Sequence, residues 1–169
     1  LVDLYTIRKE KEKIEGLKVA LVGDLKYGRT AHTLAYALAL FGADIIFVSP
    51  ESLSMPSDVT KEIKNKFGVE IKEYTKMESV IKDVDVLYVT RIQKARFPDP
   101  EEYEKVKGAY KVDLKVLEDA KKELIVMHPL PRVYEVDPEL DNTRFAKYFK
   151  QTYYGIPVRM AILASVLGK

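Results

Sequence analysis

Cysteine is absent from the 169 residues, which removes disulfides, thiolate nucleophiles and cysteine-based zinc sites. Histidine is nearly absent too, and two residues, His32 and His128, are too few for an ordinary metal-binding cluster. There is no apolar run long enough to span a bilayer and no basic-apolar-small signal pattern, so the sequence predicts a soluble, untargeted protein of the reducing cytoplasm. An excess of one charge is also missing. With 28 Lys+Arg against 26 Asp+Glu the formal net charge is +2, so nothing in the total points to a nucleic-acid-binding surface. An anion site has to come from a few placed residues. No internal repeat, low-complexity tract or Gly/Ser linker divides the chain, and its length fits one compact domain. Residue 1 is leucine, which is expected of a processed product or of a piece of a longer polypeptide.

What is present is a succession of short apolar runs. Residues 17–22 read as a strand buried on both faces and closed by Gly23, and similar runs recur at 44–48, 84–89 and 123–127. A weaker, alternating run at 69–72 predicts a strand nearer an edge. Helical patterns lie between them. Residues 29–41 put Leu34, Ala35, Leu38 and Phe41 on one stripe, with Gly42 at the stop position. Pro56 opens a segment to Phe67 that Gly68 closes. Thr75 and Glu78 have capping-box spacing for a short helix to Lys82, and Asp113 stands as a cap for a helix to about residue 120. Strands alternating with helices imply right-handed crossovers. The expectation is an α/β, Rossmann-like three-layer domain with a five-stranded parallel sheet of order 3-2-1-4-5. The mixed charge run at residues 8–13 reads as a solvated helix face. Residues 1–7 and 156–167 are nearly apolar all round; they either pack on the sheet or dock on a further domain or subunit.

In open parallel sheets ligands collect beyond the carboxyl ends of the strands, where strand order reverses. The loops that matter are then 23–30, 90–100 and 128–135. The first reads GDLKYGRT, which is neither the GxGxxG of a dinucleotide site nor a Gly-Lys-Ser/Thr phosphate loop. It does put Arg29 at a helix start, where free N–H groups and the helix dipole favour an anion, and a guanidinium matches a carboxylate in planar, two-pronged fashion. After the fourth strand, Arg91 and Gln93 fall on one face if the chain is extended. Two arginines and an amide around one crevice suit a small dianion with two carboxylates. Arg91 also has a structural alternative, pairing with Glu135 or Asp24, and the two roles are compatible. The third loop contains His128, Pro129, Leu130 and Pro131; its prolines remove N–H donors and leave carbonyls as acceptors, and Leu130-Pro131 is a candidate cis peptide. His128 lacks a Ser, Cys or metal-ligand companion and reads as a hydrogen-bonded structural residue.

Taken together, DLYTI at 3–7, VGDLKYGRT at 22–30, YVTRIQKARF at 88–97, MHPLPRV at 127–133, LDNT at 140–143 and GIPVRMAIL at 155–163 resemble the aspartate-binding half of the aspartate carbamoyltransferases, in order and over essentially the whole chain. The ornithine enzymes carry a cysteine in the counterpart of HPLPR. The resemblance implies transfer of a carbamoyl group from carbamoyl phosphate to the amino group of L-aspartate, giving N-carbamoyl-L-aspartate and phosphate in pyrimidine biosynthesis, with no metal or organic cofactor. It implies that Arg29 grips the α-carboxylate, that Arg91 and Gln93 hold the side-chain carboxylate, and that Leu130 offers its carbonyl toward the amine with Pro131 fixing the loop. No residue of this half is implied to be catalytic in the strict sense.

The resemblance further implies a preceding carbamoyl phosphate domain outside this chain, a homotrimer of complete chains with or without regulatory chains, and an inactive fragment. Residues 1–14 and 156–169 are expected to be interdomain helices around a core at 15–155. Tyr103 falls in a loop-and-helix stretch, marked by Pro98, Pro100 and Gly108, that closes over substrate in the family. The chain departs from the family pattern at Ala95 and Tyr134, where acidic residues are usual, and at Tyr153-Tyr154-Gly155, where Asn-Gly is usual. Two other readings compete: a non-catalytic dicarboxylate-binding or scaffolding module of the same family, and a nucleotide-binding half-Rossmann protein, which the glycine spacing disfavours.

Overall fold

The run Lys18–Val22 (β1) holds only one residue, Lys18, that is not buried, and apolar side chains above and below it need cover on both faces. In the computed structural model, which describes residues 1–97, 99–108 and 110–168, that cover is provided. β1 sits at the centre of five parallel strands, flanked by Asp44–Val48 (β2) and Val86–Val89 (β4), with Ile71–Tyr74 (β3) and Ile125–Met127 (β5) outermost, in the order β3-β2-β1-β4-β5. Val19 pairs in register with Ile45 on one side and Val86 on the other. The expected order is therefore observed, and the alternating 69–72 run is the edge strand, shifted two residues along.

The two-residue period of the strands sorts the core into two halves. Val19, Leu21, Ile45, Phe47, Val86 and Tyr88 face the helices Val2–Lys11 (α1), Arg29–Leu40 (α2) and Ser57–Phe67 (α3). Ala20, Val22, Ile46, Val48, Leu87 and Val89 face the opposite layer. That layer differs from expectation. Residues 77–79 form a single 3-10 turn with no side-chain cap from Thr75, and 114–119 are successive turns closed by i to i+3 bonds such as Leu117 N–H to the Leu114 carbonyl. Asp113 does cap, accepting from the Val116 N–H, but what it starts is too short and tightly wound to propagate as an α-helix. The second face is covered by these turns, by Pro100–Val106 (α4), which Asp99 caps, and by Tyr148.

The terminal helix also differs: it runs from Tyr148 to Val166 (α5), beginning eight residues before the apolar segment that marks it in the sequence, and carries Pro157. α5 packs against α1, the two joined by Lys147 and Lys150 on Glu10 and by the Tyr154 hydroxyl, which donates to the same carboxylate. Among the described residues no helix is long and apolar enough to cross a membrane. Pro98 and Lys169 lie outside the described residues.

Candidate functional site

Because all five strands run parallel, the loops after β1, β4 and β5 leave the same edge of the sheet, and those three strands are neighbours. Gly23 ends β1 at φ +108, and a Cβ there would lie 2.5 Å from the Thr90 carbonyl oxygen. Glycine is thus what lets the ends of β1 and β4 approach. Thr90 closes the seam by donating from Oγ1 to the Val22 carbonyl at 2.9 Å.

Arg29 is the first residue of α2, exposed, and lines a cleft of ≈ 520 Å³ with Asp3, Thr30 and Arg96. Arg91 and Gln93 are half-buried while Ile92 between them is buried, the alternation of extended chain, and Gln93 has φ −99, ψ 119. Neither lines the Arg29 cleft, and no hydrogen bond joins Arg29, Arg91 and Gln93 to one another among the described residues.

The carboxylates proposed as alternative partners of Arg91 are engaged elsewhere. Asp24, fully buried, accepts from the Tyr27 N–H at 2.8 Å and lies 3.4 Å from Arg96 Nη1, which also donates to the Tyr27 carbonyl. Glu135, 3% exposed, accepts from His128 Nε2 at 2.9 Å and from the Val133 and Tyr134 N–H groups. Burial pushes the Glu135 carboxyl up, but the His128 and backbone donors outweigh it and hold it below the ordinary carboxylate range. Among the described residues, neither Arg29 nor Arg91 has an ion-pair partner. Arg96 carries no signal of this role in the sequence, although it follows Arg91 by five residues within YVTRIQKARF.

The third loop is built around His128. The Leu130 N–H donates to its Nδ1 at 2.9 Å, so the ring proton is on Nε2, directed at Glu135. The structural reading of His128 is the one observed. Leu130 sits at φ +50, a left-handed conformation rare for a branched side chain, and its bond to Pro131 is cis, as anticipated. Arg132 is clamped by the Asp141 carboxylate and by the Tyr148 hydroxyl at 3.1 Å, which anchors the far side of the loop to α5. From the near side, Gln151 accepts the His128 N–H at 2.9 Å and donates to Asp3 at 2.7 Å. The sequence offers Glu135 only as a partner for Arg91, and it gives no signal for Gln151, since the contact spans 23 residues.

Tyr134 joins the second and third loops. Its hydroxyl donates to the Ile92 carbonyl and lies 3.2 Å from the Tyr103 hydroxyl of α4. Burial and the Tyr103 contact push its phenol well up, with the nearby positive charge of Arg91 opposing. Arg91 is thereby placed beside the 128–135 loop. Among the described residues no three His, Asp or Glu side chains converge as metal ligands.

The family model for the aspartate/ornithine carbamoyltransferase Asp/Orn-binding domain matches residues 15–166. The aspartate carbamoyltransferase catalytic subunit of Methanococcoides burtonii is 55% identical over 167 residues, covering 99% of this chain and 54% of that one. The subunit of Methanothermobacter thermautotrophicus is 54% identical over 100% of this chain and 53% of its own length. The catalytic subunit of M. jannaschii aspartate transcarbamoylase superposes with a TM-score of 0.90 at 54% identity, over 99% of this chain and 54% of that one. Aspartate transcarbamoylase from Trypanosoma cruzi, solved with N-(phosphonacetyl)-L-aspartic acid, superposes with a TM-score of 0.88 at 37% identity, over 96% and 53%. The chain spans about half the length of these relatives. It belongs to the aspartate/ornithine carbamoyltransferase family and corresponds to that family's Asp/Orn-binding domain.

Proposed function

We propose that this chain is the aspartate-binding half of an aspartate carbamoyltransferase, which transfers the carbamoyl group of carbamoyl phosphate to L-aspartate in pyrimidine biosynthesis. The observation that carries the reading is electrostatic. At the carboxyl edge of the sheet the buried acids are already taken, Asp24 by Arg96 and Glu135 by His128, while Arg29 and Arg91 have no internal counter-charge among the described residues. Two such guanidiniums with the Gln93 amide fit a small amino acid bearing two carboxylates, and poorly fit a cation such as ornithine. In this reading Arg29 takes the α-carboxylate, Arg91 and Gln93 take the side-chain carboxylate, and the Leu130 carbonyl, with Pro131 behind it, receives the amine.

In the reaction the amine nitrogen bonds to the carbamoyl carbon, the bond from that carbon to the phosphate oxygen breaks, and the nitrogen's proton leaves with the phosphate. The residues of this half contribute by orientation and charge neutralisation. The carbamoyl phosphate site belongs to the preceding half of the complete chain. Residues 1–14 and 156–169 then join the halves around a core at 15–155. Two features support that division: an open apolar groove of ≈ 690 Å³ between α1 and the end of α5, lined by Leu4, Tyr5, Pro157 and Ile162, and exposed Phe149, Tyr153, Ile156, Met160 and Leu163 at alternating spacings of four and three along α5. The complete chains assemble as a trimer in the cytoplasm, with or without regulatory chains.

The test is Arg91→Ala in the complete chain. Loss of one charged contact of about 1.5–3 kcal/mol raises the aspartate requirement roughly ten- to a hundredfold and lowers turnover. Unchanged aspartate kinetics would sink the assignment. The isolated chain shows no turnover until the preceding half is supplied.

A further inference from the structure

We propose that Gln151 is a positioning residue for the substrate loop, its amide tying the main chain at His128, and through it the Leu130 carbonyl, to the pairing of α1 with α5. The inference rests on the carbamoyltransferase reading above and goes beyond it by naming how the terminal helices reach the site. Gln151 is 4% exposed, and both ends of its amide are used: Oε1 accepts the His128 N–H at 2.9 Å, and Nε2 donates to Asp3 Oδ1 at 2.7 Å. Only one orientation of the amide works, since the flipped one would set NH₂ against N–H and oxygen against carboxylate. A buried amide costs more than a leucine of similar size unless its hydrogen bonds are made, and here both ends of the amide are bonded.

The geometry specified here is that of the loop. The His128 main chain is fixed by Gln151, and the His128 ring is fixed by Glu135. Leu130 hangs from that ring through its N–H, in a left-handed conformation that unaided chain does not favour. Asp3 lies in the first turn of α1 and Gln151 in the first turn of α5, so a shift of one helix along the other reaches the His128 main chain through this amide.

The groups facing Gln151 are Asp3 from α1, the Tyr88 hydroxyl from β4, the His128 ring at the end of β5, and Arg159 of α5, which lines the same cleft of ≈ 330 Å³. Tyr88 is fully buried, with no partner for its hydroxyl among the described residues. Burial also pushes the Asp3 carboxyl up, against the hydrogen bond from Gln151. A second carboxylate at position 151 would therefore meet a first one that already holds its proton more readily than usual.

The experiment uses the complete catalytic chain. Gln151→Leu lowers kcat about tenfold or more and leaves the aspartate KM within about threefold, because Arg29, Arg91 and Gln93 are untouched. Gln151→Glu keeps the acceptor for the His128 N–H and loses the donor to Asp3 until the two carboxyls share a proton. Its kcat relative to wild type thus recovers as the pH is lowered from about 8 to about 6 and declines in the other direction. A kcat within twofold of wild type in both variants overturns the inference, as does a rise in KM alone. If Gln151→Leu does not fold, the pH profile of Gln151→Glu decides, and a flat ratio to wild type overturns it. Arg91→Ala measured alongside separates the two levels: normal aspartate kinetics there defeat the functional reading, whereas a defect there with unaffected Gln151 variants defeats this inference alone.

Discussion

His128 donates its Nε2 proton to the Glu135 carboxylate across 2.9 Å in a pair that is 1% and 3% exposed. Since Nδ1 of the same ring accepts from Leu130, the imidazole is fully occupied, and its work is to hold the loop. Glu135 in turn collects three donors, which explains why a buried carboxylate stays ionised.

Glu135 should leave a mark on the pH dependence of stability. Its carboxyl is held below the ordinary range in the folded state, so the unfolded chain binds a proton first as the pH falls. Its contribution is complete above the ordinary carboxylate range and is lost as the pH drops through the lower folded value. Glu135→Gln is expected to cost about 1–3 kcal/mol at neutral pH and to flatten the acid limb below about pH 5, as read by denaturant titration across pH. An acid limb as steep as that of wild type would remove Glu135 from its origin.

The Tyr134 hydroxyl bridges the Ile92 carbonyl and Tyr103 of α4. Tyr134→Phe deletes that bridge without changing ring volume and is expected to cost about 1 kcal/mol in thermal melts. Protease cleavage within the α4 segment should accelerate by more than the global loss, because α4 is only seven residues long and depends on its tertiary contacts. Equal acceleration at all sites would mean that the bridge does not act locally.

Two glycines predict opposite outcomes. A Cβ at Gly23 would press on the Thr90 backbone carbonyl at 2.5 Å with φ at +108, so Gly23→Ala forces β1 and β4 apart and sharply lowers or abolishes stability. At Gly155, inside α5, a Cβ would meet only Arg159 Nη1, the tip of a flexible side chain, at 2.4 Å. Gly155→Ala therefore gains about 0.5–1 kcal/mol of helix propensity and raises Tm by roughly 1–4 °C in calorimetry.

Arg29 supplies a binding prediction for the complete chain. Arg29→Lys keeps the charge but loses the planar fork, and should raise the aspartate KM by about tenfold, with Arg29→Ala worse. Equal values for Lys and Ala would indicate that the fork is not used.

Much of this was legible in the residues. The runs at 17–22, 44–48, 84–89 and 123–127 announced buried parallel strands because a strand covered on both faces must be apolar at consecutive positions. The layer opposite α1–α3 departs from the expected helices at 75–82 and 113–120 because caps and spacing report a tendency to start a helix and not how far it propagates. Arg29, Arg91, Gln93 and the Leu130-Pro131 bond stood out from guanidinium chemistry, strand ends and proline spacing. Arg96, Gln151 and the His128–Glu135 pair did not.

The sequence by itself thus determined the architecture, strand order and family, since these follow from local periodicity and from motifs read along the chain. Only the tertiary structure decided which buried polar and charged groups partner one another. Asp24 goes to Arg96, 72 residues away, Glu135 to His128, and Gln151 spans from His128 to Asp3, 148 residues away. A buried charge or amide takes whichever partner packing brings within hydrogen-bonding distance, and that choice has no signature along the chain. The arginines passed over in that pairing, Arg29 and Arg91, carry the functional reading.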